Sequence, residues 1–256
     1  MMKRKLSYLS VIPLFLVMSI SCSRGVMKEQ QDPRDMYEKS MELYNKGKFF
    51  KSQVELQRLI FSFPGQPFID SAQYYLAMSN YNMERYPEAV GEYRRLLTAY
   101  PVSPLADDAQ YQLGMCHYEQ SPDYPRDQTE TMLAIDEFTM FINRYSQSPL
   151  IEEARARLDE MYDKLAHKMF KSGELYLKTH DYDPALIYFG QVRDNYPESA
   201  WARMALYYSG EALLKLDRKS DALETFQNFI TAFPDHELSK KARGHIDKLQ
   251  AGQDGG

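Results

Sequence analysis

The sequence predicts an all-α protein: a right-handed superhelix of five stacked helical hairpins. A long helix joins hairpins three and four, and a capping helix closes the C-terminal end. Three observations predict this. One pattern of small residues, large apolar residues and proline recurs five times along the chain. A proline-free stretch of helical character runs from Leu150 to about Thr179. Hydrophobic residues make up 44% and charged residues 26%, a balance that supports a buried core.

The five copies read as follows. Ser40 is followed by Ser52, Leu56, Leu59 and Pro64. Ala77 is followed by Ala89, Tyr93, Leu96 and Pro101. Gly114 is followed by Ala134, Phe138 and Phe141. Gly173 is followed by Ala185, Phe189, Val192 and Pro197, and Gly210 by Ala222, Phe226, Phe229 and Pro234. The two small residues let antiparallel helices approach closely. The large residues, four and seven positions after the second small one, share a helical face and fill the groove between neighbours. Proline then ends the helix. No copy can bury its apolar faces alone, so the copies must stack.

Two departures from the period are informative. Between its helices the third copy carries Ser121-Pro122-Asp123-Tyr124-Pro125-Arg126-Asp127, which predicts a protruding loop. After it, Ser148-Pro149 reads as an N-cap with proline at the first helical position. The helix that follows would span roughly 45 Å at about 1.5 Å per residue. It would splice an extra helical segment onto the first helix of copy four.

These residues resemble the tetratricopeptide repeat. In that family one face of each first helix tends to line a concave groove. Here that face carries Tyr37, Met41 and Tyr44 in copy one, then Tyr74, Met78 and Tyr81, then Tyr111, Met115 and Tyr118. Tyrosine gives a broad ring with a polar tip at low entropy cost, and methionine adapts its shape to varied ligands. The expectation is a groove for extended, aromatic-rich peptides. Packing between helices is the competing reading of each rung. In copies four and five the matching residues are Phe170, Glu174, Leu177 and Tyr207, Glu211, Leu214, so the two halves are expected to face different partners.

The N-terminus reads as a targeting segment. Lys3, Arg4 and Lys5 precede a mostly apolar run, Leu6–Ile20, that is short for a membrane span and interrupted by Pro13. Ser19-Ile20-Ser21-Cys22 follows and resembles a bacterial lipoprotein signal, although Ser19 stands where leucine is usual. The resemblance implies acyl chains on Cys22 and anchoring to a membrane. Cys116 is then alone, inside an apolar helical pattern, and is expected to be a buried small hydrophobe.

Other function classes find little support. The formal charge is −5, with no basic stripe, which argues against nucleic acid. His117, His167, His180, His236 and His245 lack metal-ligand spacing, and no phosphate loop or nucleophile signature appears. The chain is therefore read as a non-enzyme that needs no cofactor and no metal.

An anchor, five repeats, an insertion in the third and a long fusing helix together resemble the BamD family, lipoproteins of the outer-membrane β-barrel assembly machinery. The resemblance covers residue 22 to about residue 250 and rests on layout. It implies a periplasm-facing scaffold on the outer membrane, working beside other assembly-complex lipoproteins. Unfolded β-barrel clients would meet the Tyr/Met groove, and a BamA-like barrel protein would dock on the C-terminal repeats. Asp163, Arg193 and Arg203, with Phe170 and Glu174, are the docking candidates. The implied organisation is a signal peptide over 1–21, an acylated linker over 22–33 and a client-facing half over 34–148. A docking half over 149–250 and a disordered tail over 251–256 complete it. The alternative is a periplasmic repeat protein of the Tol–Pal, cell-division type, which shares the turns Tyr100-Pro101-Val102-Ser103 and Tyr196-Pro197-Glu198-Ser199. A glycan-capturing lipoprotein shares the anchor and helices but is a much longer chain.

Overall fold

The computed structural model describes residues 32–253, and among them every regular element is an α-helix. The first hairpin is α1 (Pro33–Asn45) with α2 (Phe49–Ser62), and the second is α3 (Ile69–Tyr81) with α4 (Tyr86–Ala99). The third is α5 (Ala106–Gln120) with α6 (Thr129–Arg144), and the fourth is α7 (Ile151–Lys178) with α8 (Tyr182–Asn195). The fifth is α9 (Ala200–Lys215) with α10 (Lys219–Ala232), and α11 (Ser239–Gln253) caps the stack. Each helix packs on its chain neighbours, which builds a superhelix of hairpins. The leader, Cys22 and the linker to residue 31 lie outside the described residues. Helix α11 runs on to Gln253, into the stretch read as a tail.

Paired small and large side chains set the spacing within each hairpin. Tyr93, Phe138, Phe189 and Phe226 are wholly buried, each contributing roughly 2–3 kcal/mol of apolar burial. A Cβ on Gly114 would lie 2.8 Å from the Phe138 ring, one on Gly173 2.7 Å from Phe189, and one on Gly210 2.6 Å from Phe226. Glycine is thus what admits phenylalanine. In hairpin one the pair is Ser40 with the smaller Leu56, and Ser52 Oγ donates to the Ser40 carbonyl at 2.9 Å.

Turns between hairpins share one device. The second helix of each ends on an aromatic residue: Phe63, Tyr100, Tyr145, Tyr196 or Phe233. Its backbone N–H donates to the carbonyl four residues back, at 2.8 to 3.0 Å. Turns inside hairpins one, two, four and five need a left-handed residue, filled by Gly47, Glu84, His180 and Asp217. Only the first of these is glycine, and the other three bear the steric cost of that conformation.

Helix α7 has 28 residues, as its lack of proline foretold. Its start differs by two positions from the sequence expectation. Leu150 occupies the cap position, and Ser148 Oγ instead accepts from the Leu150 N–H at 3.3 Å. Ser103 does the same for Leu105 before α5, at 3.2 Å. Acidic side chains occupy the first turns of both helices, Asp107 and Asp108 on α5 and Glu152 and Glu153 on α7. There the positive end of the helix dipole favours them.

Candidate functional site

The ladder of tyrosines and methionines is present as three rows, and each row abuts the first helix of the next repeat. Tyr37 meets Phe68 with ring centres 5.0 Å apart. Tyr44 meets Tyr75 at 5.1 Å, and its hydroxyl accepts from Asn82 Nδ2 at 3.1 Å. Tyr74 leans on Tyr93, and Tyr81 on Tyr86. Tyr37, Met41, Tyr44, Tyr74, Met78 and Tyr81 are all half-buried. Burial first, then Asp108, raises the Tyr74 hydroxyl above its ordinary range, and burial then Glu119 does so for Tyr81. Both hydroxyls of this second row therefore stay neutral, as hydrogen-bonding tips bordered by carboxylates. Tyr93 and Leu96, expected to fill the groove between helices, are buried, as are Leu76 and Leu113 beside them.

The third row corrects the sequence reading. Tyr111 is 4% exposed, packed on Phe138 and Phe141, and so belongs to the core. Burial first, then Glu153, pushes its hydroxyl up to about 12, against the opposing pull of Arg157. Tyr118 Oη donates to Glu160 Oε2 at 2.6 Å, and the Arg157 guanidinium lies 5.1 Å above its ring. Met115 remains half-buried beside them. The first half of α7 thus roofs this row, whereas the rows of hairpins one and two stay half-buried.

The inserted loop is also unlike its expectation. It does not protrude freely but is strapped onto one face of α7. Lys164 Nζ donates to the Ser121 carbonyl and hydroxyl, and Lys168 Nζ to the Arg126 carbonyl at 2.7 Å. His167 lies between two rings, Tyr124 of the loop at 3.9 Å and Trp201 of α9 at 3.8 Å. Loop, long helix and fifth hairpin are joined by this stack. Sequence reasoning passed over it because its members lie far apart in the chain. The single tryptophan was the one available signal.

The docking candidates do not form one cluster. Asp163 accepts from Trp201 Nε1 at 3.0 Å and from the Ala200 N–H at 3.2 Å, so it braces the start of α9. Phe170 is 1% exposed, against Phe189, Trp201 and Tyr208, and is corrected to a core residue. Glu174 accepts from Lys171 and pairs with Lys178. Burial raises its carboxyl, but those two cations outweigh it and leave it below the usual range. Arg193 sits half-buried on the last turn of α8, and Arg203 lies 6.0 Å from the Phe233 ring centre. The more continuous feature beside Asp163 is a pair of clefts flanking α7, which share Glu160 and Asp163. One, of about 770 Å³, runs to Tyr162, Tyr196 and Glu198. The other, of about 590 Å³, runs under Tyr118 and Tyr124.

Cys116 is fully buried with a free thiol, and burial pushes it up to about 12, as befits a packed small hydrophobe. His117 pairs with Glu130 at 2.7 Å rather than with Cys116. Among the described residues no group of three His, Cys, Asp or Glu could hold a metal ion. No described helix is long and apolar enough to cross a membrane.

Solved structures similar to the chain are helical repeat proteins. A tetratricopeptide repeat protein from Parabacteroides merdae is 14% identical, with 86% of this chain and 73% of that one covered and a TM-score of 0.38. The TPR2AB domain of yeast Sti1, in a complex with pHSP90, is 12% identical over 86% and 83%, with a TM-score of 0.45. YrrB, a TPR protein with an unusual peptide-binding site, is 17% identical over 83% and 92%, with a TM-score of 0.40. A comparison with curated proteins finds no match. One family model, YfiO, described as an outer membrane lipoprotein, matches residues 29–221. That match spans the first four hairpins and enters the fifth, and by it the chain belongs to the YfiO (BamD) family of outer membrane lipoproteins.

Proposed function

We propose that this protein is a non-enzymatic scaffold of outer-membrane protein assembly. Its groove over hairpins one and two takes extended, aromatic-rich segments of unfolded β-barrel clients. The observation that carries this reading is the pair of half-buried rows, Tyr37-Met41-Tyr44 and Tyr74-Met78-Tyr81. A row of neutral phenols offers hydrogen bonds to a strand's backbone while its rings accept apolar side chains. Met115 and Tyr118 border the closed end. The clefts beside α7, with Asp163, form the second surface, where the periplasmic part of a BamA-like barrel subunit docks. Arg193 and Arg203 lie apart from that surface on α8 and α9. Acylation of Cys22 holds the scaffold on the periplasmic side of the outer membrane.

Replacing Tyr44 and Tyr81 together by Ala tests the groove. Binding of a fluorescent peptide with a C-terminal aromatic residue should weaken by about tenfold or more, the loss of roughly 1.4 kcal/mol, at constant helicity. Unaltered affinity in that titration removes the groove from the proposal. Substituting Tyr162 by Ala should leave peptide affinity intact and weaken capture of the barrel subunit's periplasmic domains.

A further inference from the structure

The outer face of α2 carries an apolar stripe that the fold does not use. Phe50 is 58% exposed, Val54 47% and Phe61 89%, and the three lie on one side of the helix. Registering the repeats on Leu56, Tyr93, Phe138, Phe189 and Phe226 shows that stacking does not require them. The position of Phe61 is held by Thr98, Asn143, Asp194 and Thr231 in the other four hairpins, all exposed. The position of Phe50 becomes Asp183 and Ser220 in the last two.

The surroundings of the stripe are also locally basic. The α1–α2 hairpin has six basic and four acidic residues in a protein of net charge −5. Lys51 and Arg58 flank the stripe and are exposed, and Lys46 and Lys48 sit at the adjoining turn. Arg85 lies 5.9 Å from the Phe50 ring centre. Exposed phenylalanines beside lysine and arginine on one helix face form the arrangement by which helices settle into a bilayer interface. This hairpin is the first of the described elements, and a chain running from Cys22 to Pro33 can reach at most about 40 Å.

We propose that Phe50, Val54 and Phe61, with Lys51 and Arg58, dock the first hairpin on an anionic phospholipid surface as a second membrane contact beside the N-terminal anchor. The proposal rests on membership of an outer membrane lipoprotein family and not on the client groove. Acyl chains at the end of a linker hold a protein to a membrane without fixing its orientation, and a second contact supplies that. With α2 against the bilayer, the stack would present its groove in one direction.

The test places an environment-sensitive fluorophore at Gln57, within the stripe, or at Gln227, its counterpart on α10. The full chain is reconstituted in vesicles of phosphatidylethanolamine with phosphatidylglycerol. The expected result is blue-shifted emission with a several-fold gain at position 57, quenched by brominated lipid, and aqueous emission at position 227. F50S/F61S should return position 57 to aqueous emission with an unchanged circular dichroism spectrum. In a Cys22→Ala chain, residual vesicle binding should still fall severalfold with F50S/F61S, which separates the stripe from the anchor. Aqueous emission at position 57 in anchored protein overturns the proposal. So does shielding that appears only after envelope proteins are added, which would assign the stripe to a protein partner.

Discussion

Hairpins two and five occupy the same place in the repeat and use it in opposite ways. In α3 the row Tyr74, Met78, Tyr81 stays half-buried, with carboxylates of α5 at its border. In α9 the same positions are Tyr207, Glu211 and Leu214. Tyr207 is 4% exposed, its hydroxyl donates to Glu211 at 2.9 Å, and Glu211 pairs with His245 of the capping helix at 2.7 Å. A register position therefore does not by itself decide whether a side chain stays half-buried or braces the stack. What the following helix brings against it decides.

That comparison can be broken by measuring what each side chain contributes to stability. The largest expected loss is for Trp201→Ala, about 3 kcal/mol, because the indole packs on His167 and Phe170 and donates to Asp163. Tyr81→Ala should cost no more than about 1 kcal/mol in the same urea titration. Equal losses would mean that the half-buried rows are core after all. Gly173→Ala comes next, with an expected cost of about 1–3 kcal/mol from pressing a methyl group into Phe189. Adding Phe189→Leu should recover part of it, since hairpin one already pairs a non-glycine residue with leucine. A double-mutant cycle with no coupling would refute that pairing.

A pH series sharpens the comparison in the second half. His167 titrates below the ordinary histidine range, first through burial and then through Lys171, with Asp163 and Glu174 pulling the other way. The unfolded chain, with its histidine near about 6.5, then takes up the proton more readily. The stability contributed by His167 is full above that value and falls as pH drops through it, levelling off below the folded pKa. Urea midpoints at pH 7.5 and 5.5 should therefore separate more for the native chain than for His167→Phe. The smallest effect expected is at the hairpin turns. Glu84→Gly relieves a left-handed backbone at φ 58° and should stabilise by about 0.5–1 kcal/mol. Gly47→Ala should do the reverse by a similar amount, both read from thermal midpoints.

The helices and their pairing were legible because small and large residues recur at fixed spacing, and each pairing is local. Gly210 with Phe226 needs only one hairpin to be understood. The long helix was legible from missing proline, and its ends fell within two residues of Leu150 and Thr179. Tyr111 was misread because its row matches the two before it in every respect that periodicity records. Only the displaced first half of α7 distinguishes it, laying Glu153, Arg157 and Glu160 across α5. The loop from Ser121 was misread for a related reason. Its prolines announce a break in the helix, whereas its attachment depends on Lys164, His167 and Lys168, about 40 residues later. Phe170 shared a register position with a groove residue but met Trp201, and nothing nearby in sequence revealed that encounter.

Helix α7 has one further consequence. It is an unbroken rod whose backbone hydrogen bonds offer no place to swivel. Its early turns carry the arginine and glutamate that cover Tyr118, and its late turns carry the glycine against which Phe189 rests. Rolling the rod far enough to uncover the tyrosine would drag the glycine across the phenylalanine ring. The third and fourth hairpins are therefore coupled through one shared rod, as through an axle.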